Sequence, residues 1–230
     1  MKAYVITIRG NEYSEDKASR CVETGVTVGK IDVETYFGVD KDRAQTVMRK
    51  HGLEWTWADK NRTLQVCPIS NLYQRPYYGA DLNSKIGCSM SHYLLWKKCV
   101  ELDEPILILE HDAVFIREFP TFDFQGICQI NDPKGGGKNG SRLSRLMTTR
   151  GVVGVQPSTP NTTDKRIPDG LAGNSAYVIK PFAAQELINK FHELGIWPND
   201  ATMCIQLFPY LEEYYPFITK VEQDISTSST

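Results

Sequence analysis

The chain has 230 residues, of which 41% are hydrophobic, and 26 Lys+Arg against 28 Asp+Glu leave a formal net charge of −2. That near-balance excludes the strongly basic footprint of a general nucleic-acid binder. Charged residues at 23% and aromatic residues at 10% exclude a disordered or collagen-like chain.

In chain order, Ala3–Ile8 is β-branched and aromatic and predicts a first buried strand, broken by Gly10 and Asn11. Ser14 is the expected cap of a helix running to Glu23 and stopped at Gly25, with Val26–Val28 and Ile31–Phe37 extended after it. Ala44, Val47, Met48 and His51 follow the i, i+3, i+4, i+7 spacing of a helix, and Gly52 stands where a terminating glycine belongs. Residues 53–81 show no periodicity and read as an irregular segment. Cys88, His92, Leu95, Trp96 and Cys99 share one face of a helix over Ser89–Glu101, and Ile106–Leu109 then reads as a buried strand. Glycines and basic residues over 134–150, and Pro, Thr and Asp over 156–170, predict long mobile loops. A strand at Ser175–Ile179 precedes a helix opened by Pro181. Asp200 is the expected cap of a helix through Leu207, Tyr214–Val221 an edge strand because of Pro216, and Ser226–Thr230 a frayed tail. Alternating strands and helices without a repeat argue for an α/β fold in one continuous domain, 1–230.

The six cysteines are scattered with no Cys-x-x-Cys pair, which argues against structural zinc and for reduced thiols. No apolar run approaches the ~20 residues of a membrane helix, and none resembles an export signal. A cytoplasmic location is the expectation, and the sequon Asn161-Thr162-Thr163 is then a chance match.

Chemistry concentrates at Leu109-Glu110-His111-Asp112-Ala113. Side chains two apart on a strand point the same way, so Glu110 and Asp112 are placed to converge on one ion while His111 faces away. Ligands of open α/β sheets collect beyond the carboxyl ends of the strands, and paired carboxylates suit a hard cation such as Mn²⁺ or Mg²⁺. Two solvated loop carboxylates would give the same pattern.

Gly87-Cys88-Ser89-Met90-Ser91-His92, followed by Ile106-Leu107-Ile108-Leu109-Glu110-His111-Asp112, resembles the signature of glycosyltransferase family 25, which reads Gly-Cys-x-x-Ser-His and then Leu-Glu-Asp-Asp. Tyr4–Ile8, Gly173–Ile179 and Pro198-Asn199-Asp200 extend the likeness along the chain. The resemblance implies a GT-A-like mixed sheet flanked by helices, and an inverting, metal-dependent transfer of a hexose, galactose or glucose. The donor would be a UDP-sugar, and the acceptor a hydroxyl on a glycan, lipid-linked or protein substrate, as in lipopolysaccharide biosynthesis, with no nucleic acid as partner. Carried over residue by residue, it puts the metal, Mn²⁺ ahead of Mg²⁺, on Glu110 and Asp112. Donor contacts fall on Thr7, Arg9, Arg20, His92 and Asn174, and the catalytic base on Asp200, with Asp169 in reserve. Two positions depart from the pattern, His111 for a central Asp and Lys85 for a Glu. They leave open a nucleotide-sugar-binding homologue without activity. A nucleotidyltransferase is the other alternative.

Overall fold

A computed structural model of the protein describes residues 1–58, 64–76, 81–135, 137–160 and 162–222. Gly136, Asn161 of the sequon and the Ser226–Thr230 tail lie outside the described residues. The elements are β1 (Lys2–Thr7), α1 (Glu12–Thr24), a π-helical turn (Gly25–Gly29), β2 (Val33–Phe37), α2 (Ala44–Lys50), β3 (Gln65–Val66), β4 (Tyr73–Gln74) and α3 (Leu82–Leu102). They continue with β5 (Ile106–Glu110), β6 (Ala113–Phe115), β7 (Ile127–Gln129), a 3₁₀ turn (Pro133–Gly135), α4 (Gly137–Arg150), β8 (Gly154–Pro157) and β9 (Ala176–Ile179). Last come α5 (Pro181–Leu194), α6 (Asn199–Thr202), β10 (Leu211–Tyr215) and β11 (Thr219–Val221).

Seven strands form one mixed sheet in the order β2-β1-β5-β9-β7-β10-β8. β1 runs parallel to both β2 and β5, whereas β9 is antiparallel to β5 and to β7. The period of two along each strand decides which layer each side chain joins. Tyr4, Ile6, Ile106, Ile108, Tyr177 and Ile179 face α3 and α5, where Leu95, Trp96 and Phe191 complete the larger core. Ala3, Val5, Leu107, Leu109, Ala176 and Val178 face α1 and β6. The strand runs read as buried from the sequence are therefore covered on both faces.

Local chemistry moves several boundaries. Asn11, not Ser14, caps α1: its side chain accepts the Ser14 N–H at 3.0 Å. The Ser14 hydroxyl turns inward to Thr7 Oγ1 at 3.0 Å and also accepts the Ile8 N–H. Val26–Val28 is helical rather than extended, because the Gly25 N–H still bonds to Cys21 O and Val22 O and the chain winds on into the π-helical turn. The helix expected at Ser89–Glu101 begins earlier, at Leu82, where the Asp81 side chain accepts the Ser84 N–H.

The stretch expected as loops over 134–170 holds the 3₁₀ turn, α4 and β8. Leu143 and Met147, one helical turn apart, are fully buried while Arg142 and Arg145 face solvent, so a short apolar stripe suffices within a polar composition. β8 accepts Pro157 because it is the edge strand, paired only to β10. Tyr214–Val221 is not one edge strand. Pro216 divides it, leaving β10 inside the main sheet between β7 and β8 and β11 paired with β6. α6 ends at Thr202 rather than Leu207, and Pro198 occupies its N-cap, so Asp200 is not the cap.

Candidate active site

Two helical positions bring α3 against the sheet. A Cβ on Gly87 would come within 2.5 Å of Val39 O, so only glycine lets this turn of α3 approach the chain after β2. One turn on, Ser91 Oγ donates to Gly87 O at 2.7 Å and accepts the Val39 N–H at 2.8 Å, pinning the same contact. The Gly-Cys-x-x-Ser-His pattern thus fixes helix to sheet and leaves Cys88 and His92, four residues apart on one face, beside the end of β5.

His92 is 1% exposed and stacks on Tyr177 of β9, ring centroids 5.8 Å apart. Its Nδ1 lies 2.9 Å from Tyr177 Oη and its Nε2 3.4 Å from Glu110 Oε1. Trp96 Nε1–H donates to the same Tyr177 oxygen at 2.8 Å. Because the indole can only donate, Tyr177 Oη accepts from Trp96 and its own proton can go to His92 Nδ1, the tautomer in which Nε2–H points to Glu110. Ser175 Oγ donates to the other Glu110 oxygen at 3.1 Å, and the Glu110 N–H bonds to Ser175 O. Desolvation alone would raise the Glu110 carboxyl, but His92, His111 and Ser175 outweigh it and hold the group below the usual glutamate range.

The register puts Glu110 on the α3 side of the sheet and His111 on the α1 side, where its ring meets Tyr13 edge to face at 6.1 Å. Desolvation first, and Lys17 after it, lower the His111 imidazole against the pull of Glu110. β5 ends at Glu110, so the alternation that was to align Glu110 with Asp112 stops there. Asp112 is buried in the turn before β6, and its backbone carbonyl accepts the Glu222 N–H. The ligand atoms of Cys88, His92 and Glu110 all lie within 4.8 Å of one another, the one such group of three found among the described residues. Asp112 does not join that group. The set fits a divalent cation in charge and number of donors, since it offers a carboxylate, an imidazole and a thiol.

Asp200 lies in the first turn of α6. It is open to solvent, yet desolvation and then the Glu110 charge raise its carboxyl above the usual aspartate range. The Cys88 thiol is also pushed well up, by desolvation first and then by the charges of Glu110, Asp200 and Asp112. Gly170 packs against the backbone of the same α6 turn: a Cβ there would come within 1.7 Å of Asp200 O. Asp169, next to it, is 3% exposed and accepts the Thr162 N–H through Oδ2 at 3.3 Å.

The expected donor-binding residues divide by what their side chains already do. Thr7 is 1% exposed and occupied with Ser14. Arg20 pairs with Glu222. The Arg9 guanidinium lies 4.2 Å above the Phe37 ring at the end of β1. Asn174 is 7% exposed; its Nδ2 reaches Met203 Sδ at 3.8 Å, and its buried Oδ1 has no hydrogen-bond partner. Asn199 Oδ1, beside Asp200, is a second buried acceptor in that condition. Cys88, Ser175 and Tyr177 were missed as site residues by sequence reasoning. Cys88 carried a signal, since it lies one helical turn before His92.

No curated protein sequence matches this chain. Among solved structures, the apo crystal structure of mouse xyloside xylosyltransferase 1 is similar with a TM-score of 0.41 and 10% identity, covering 91% of this chain and 82% of that one. Among the described residues no helix is long and apolar enough to cross a membrane. The model of glycosyltransferase family 25 (LPS biosynthesis protein) matches residues 34–131, the span from β2 past β7 that contains α3, Cys88, His92 and Glu110. The likeness read from the sequence is thus matched over this stretch, in which the chain is similar to glycosyltransferase family 25.

Proposed function

We propose that the protein is an inverting glycosyltransferase that moves a hexose from a UDP-sugar to a hydroxyl acceptor with the help of a divalent cation. The observation that carries this reading is the Glu110 carboxylate held at the carboxyl end of β5 by His92 and Ser175, with Asp200 near enough to feel its charge. Inversion needs a base on one side of the anomeric carbon and charge stabilisation at the leaving diphosphate on the other.

Glu110 supplies the anionic ligand for the cation, Mn²⁺ or Mg²⁺ in this reading, with Asp112 close by in the following turn. The cation, when bound, neutralises charge on the departing diphosphate. His92, Tyr177 and Ser175 fix the Glu110 carboxylate, so its orientation is set before the donor arrives. The vacant acceptor on Asn174 suits a donor hydroxyl or amide N–H, and Arg9 stands at the end of β1 where the nucleotide of an open α/β sheet lies. Thr7 acts through Ser14 to shape that turn, and Arg20 through Glu222.

Asp200 takes the proton of the acceptor hydroxyl. Its raised pKa brings it nearer the working pH than an ordinary aspartate, which favours proton transfer. It is preferred to Asp169 because it is open to solvent whereas Asp169 is enclosed. Asp200→Asn keeps the shape but cannot accept a proton, and is expected to lower kcat by about 10²-fold or more with donor affinity preserved. Transfer assays with UDP-sugars and Mn²⁺ test this; a parental rate in the variant overturns the assignment of the base.

A further inference from the structure

We propose that Cys88, His92 and Glu110 form a binding site for a thiophilic divalent cation of the zinc class, and that such a cation competes for Glu110 with the hard cation of the transfer reaction. The first half stands on geometry alone, whereas the competition rests on the functional reading above. Three donor atoms within 4.8 Å of one another need only a small side-chain adjustment to close around a single tetrahedral ion, and a thiolate-imidazole-carboxylate set is softer than the all-oxygen cage that Mg²⁺ prefers.

The surroundings are those of a ligand shell already oriented. Tyr177 Oη holds one nitrogen of His92 at 2.9 Å, and Ser175 Oγ holds the Glu110 oxygen turned away from the ring. Cys88 is exposed, so a cation can reach the group from solvent. On binding, the cation replaces the proton between His92 Nε2 and Glu110 Oε1. The ring takes the other tautomer, with its proton on Nδ1 and the Tyr177 hydroxyl turned from donor to acceptor, and the Cys88 thiol gives up its proton to solvent. One proton leaves per cation bound.

The full chain is titrated with Co²⁺ alone, and the optical spectrum is followed. The expected result is a sulfur-to-cobalt charge-transfer band that saturates at one ion per chain and is bleached by Zn²⁺. The other five cysteines are buried, so the band reports Cys88. Cys88→Ser should remove the band and weaken Zn²⁺ binding at least ~10-fold by calorimetry, with an unchanged melting curve as the control for folding. Absence of the band in the parent, or equal zinc affinity in the two proteins, overturns the site. Zinc binding that leaves Mn²⁺ binding untouched overturns only the competition. Loss of sugar transfer in every condition, with the band intact, would overturn the functional reading and not this one.

Discussion

Glu110 at the end of β5 and Glu213 on β10 are two sequestered glutamates of the same sheet, and they lie in opposite states. Glu110 keeps its charge because the His92 imidazole and the Ser175 hydroxyl face its two oxygens, with the His111 charge acting from the other side of the sheet. Glu213, 2% exposed, is pushed up to about 7: burial dominates, while the Thr159 N–H and hydroxyl, against Asp169 and with distant help from Arg150, compensate only in part. Burial alone therefore does not make an acid functional. The donors set around it decide whether it is held as an anion or as a neutral acid.

The contrast is broken most directly by activity. Glu110→Ala is expected to lower transfer by about 10²-fold or more, since it removes the fixed charge that serves the diphosphate side. Glu213→Gln, on β10 and hydrogen-bonded to Thr159 rather than to the Glu110 group, should transfer sugar close to the parental rate at equal folded concentration. If Glu213→Gln proves the more severe loss in kcat/KM, the two carboxylates have been given the wrong roles.

Stability against pH sharpens the other half. The folded state holds the Glu213 proton up to about pH 7, while an unfolded glutamate loses it near 4.5. The native chain then binds more protons through that window, so stability falls as pH rises from the lower value to the upper and is flat beyond. The integrated effect is about 3 kcal/mol. Glu213→Gln retains an oxygen for the Thr159 N–H and cannot ionise, so its denaturation midpoint should fall less steeply than the parent's across this window. A parent and variant with parallel profiles would show that Glu213 titrates as an exposed acid does.

The sequence displayed one side of this comparison far better than the other. Ile106–Leu109 and the α3 stripe are legible because β-branched runs and i, i+4 spacings are local. Leu95, Trp96 and Cys99 are indeed fully buried, though Cys88 at the top of that stripe opens to the crevice. What places Ser175 beside Glu110 and Tyr177 beside His92 is the antiparallel register Leu109↔Ala176 and Ile108↔Tyr177, a pairing across more than sixty residues that no local pattern encodes. α4 escaped for a different reason. Its apolar stripe is two or three residues wide, and glycine and arginine dominate the composition around it. Asp112 was paired with Glu110 by extending strand alternation one step beyond where β5 ends.

The smallest effect probes a single donor. Ser175→Ala removes the hydroxyl that faces Glu110 Oε2 but leaves the backbone pairing of residue 175, because the Ser175 carbonyl still accepts the Glu110 N–H. His92 continues to serve Oε1, so the carboxyl should rise toward its ordinary range without reaching it. An acid whose folded pKa is depressed lends stability above the unfolded pKa and loses it as pH falls through the folded one. The variant should therefore be less stable than the parent by about 1 kcal/mol at neutral pH, and the difference should shrink in acid as Glu110 is protonated. Chemical denaturation at neutral and acidic pH measures this. A difference that stays constant across both would mean that Ser175 supports the turn before β9 and does nothing for the charge on Glu110.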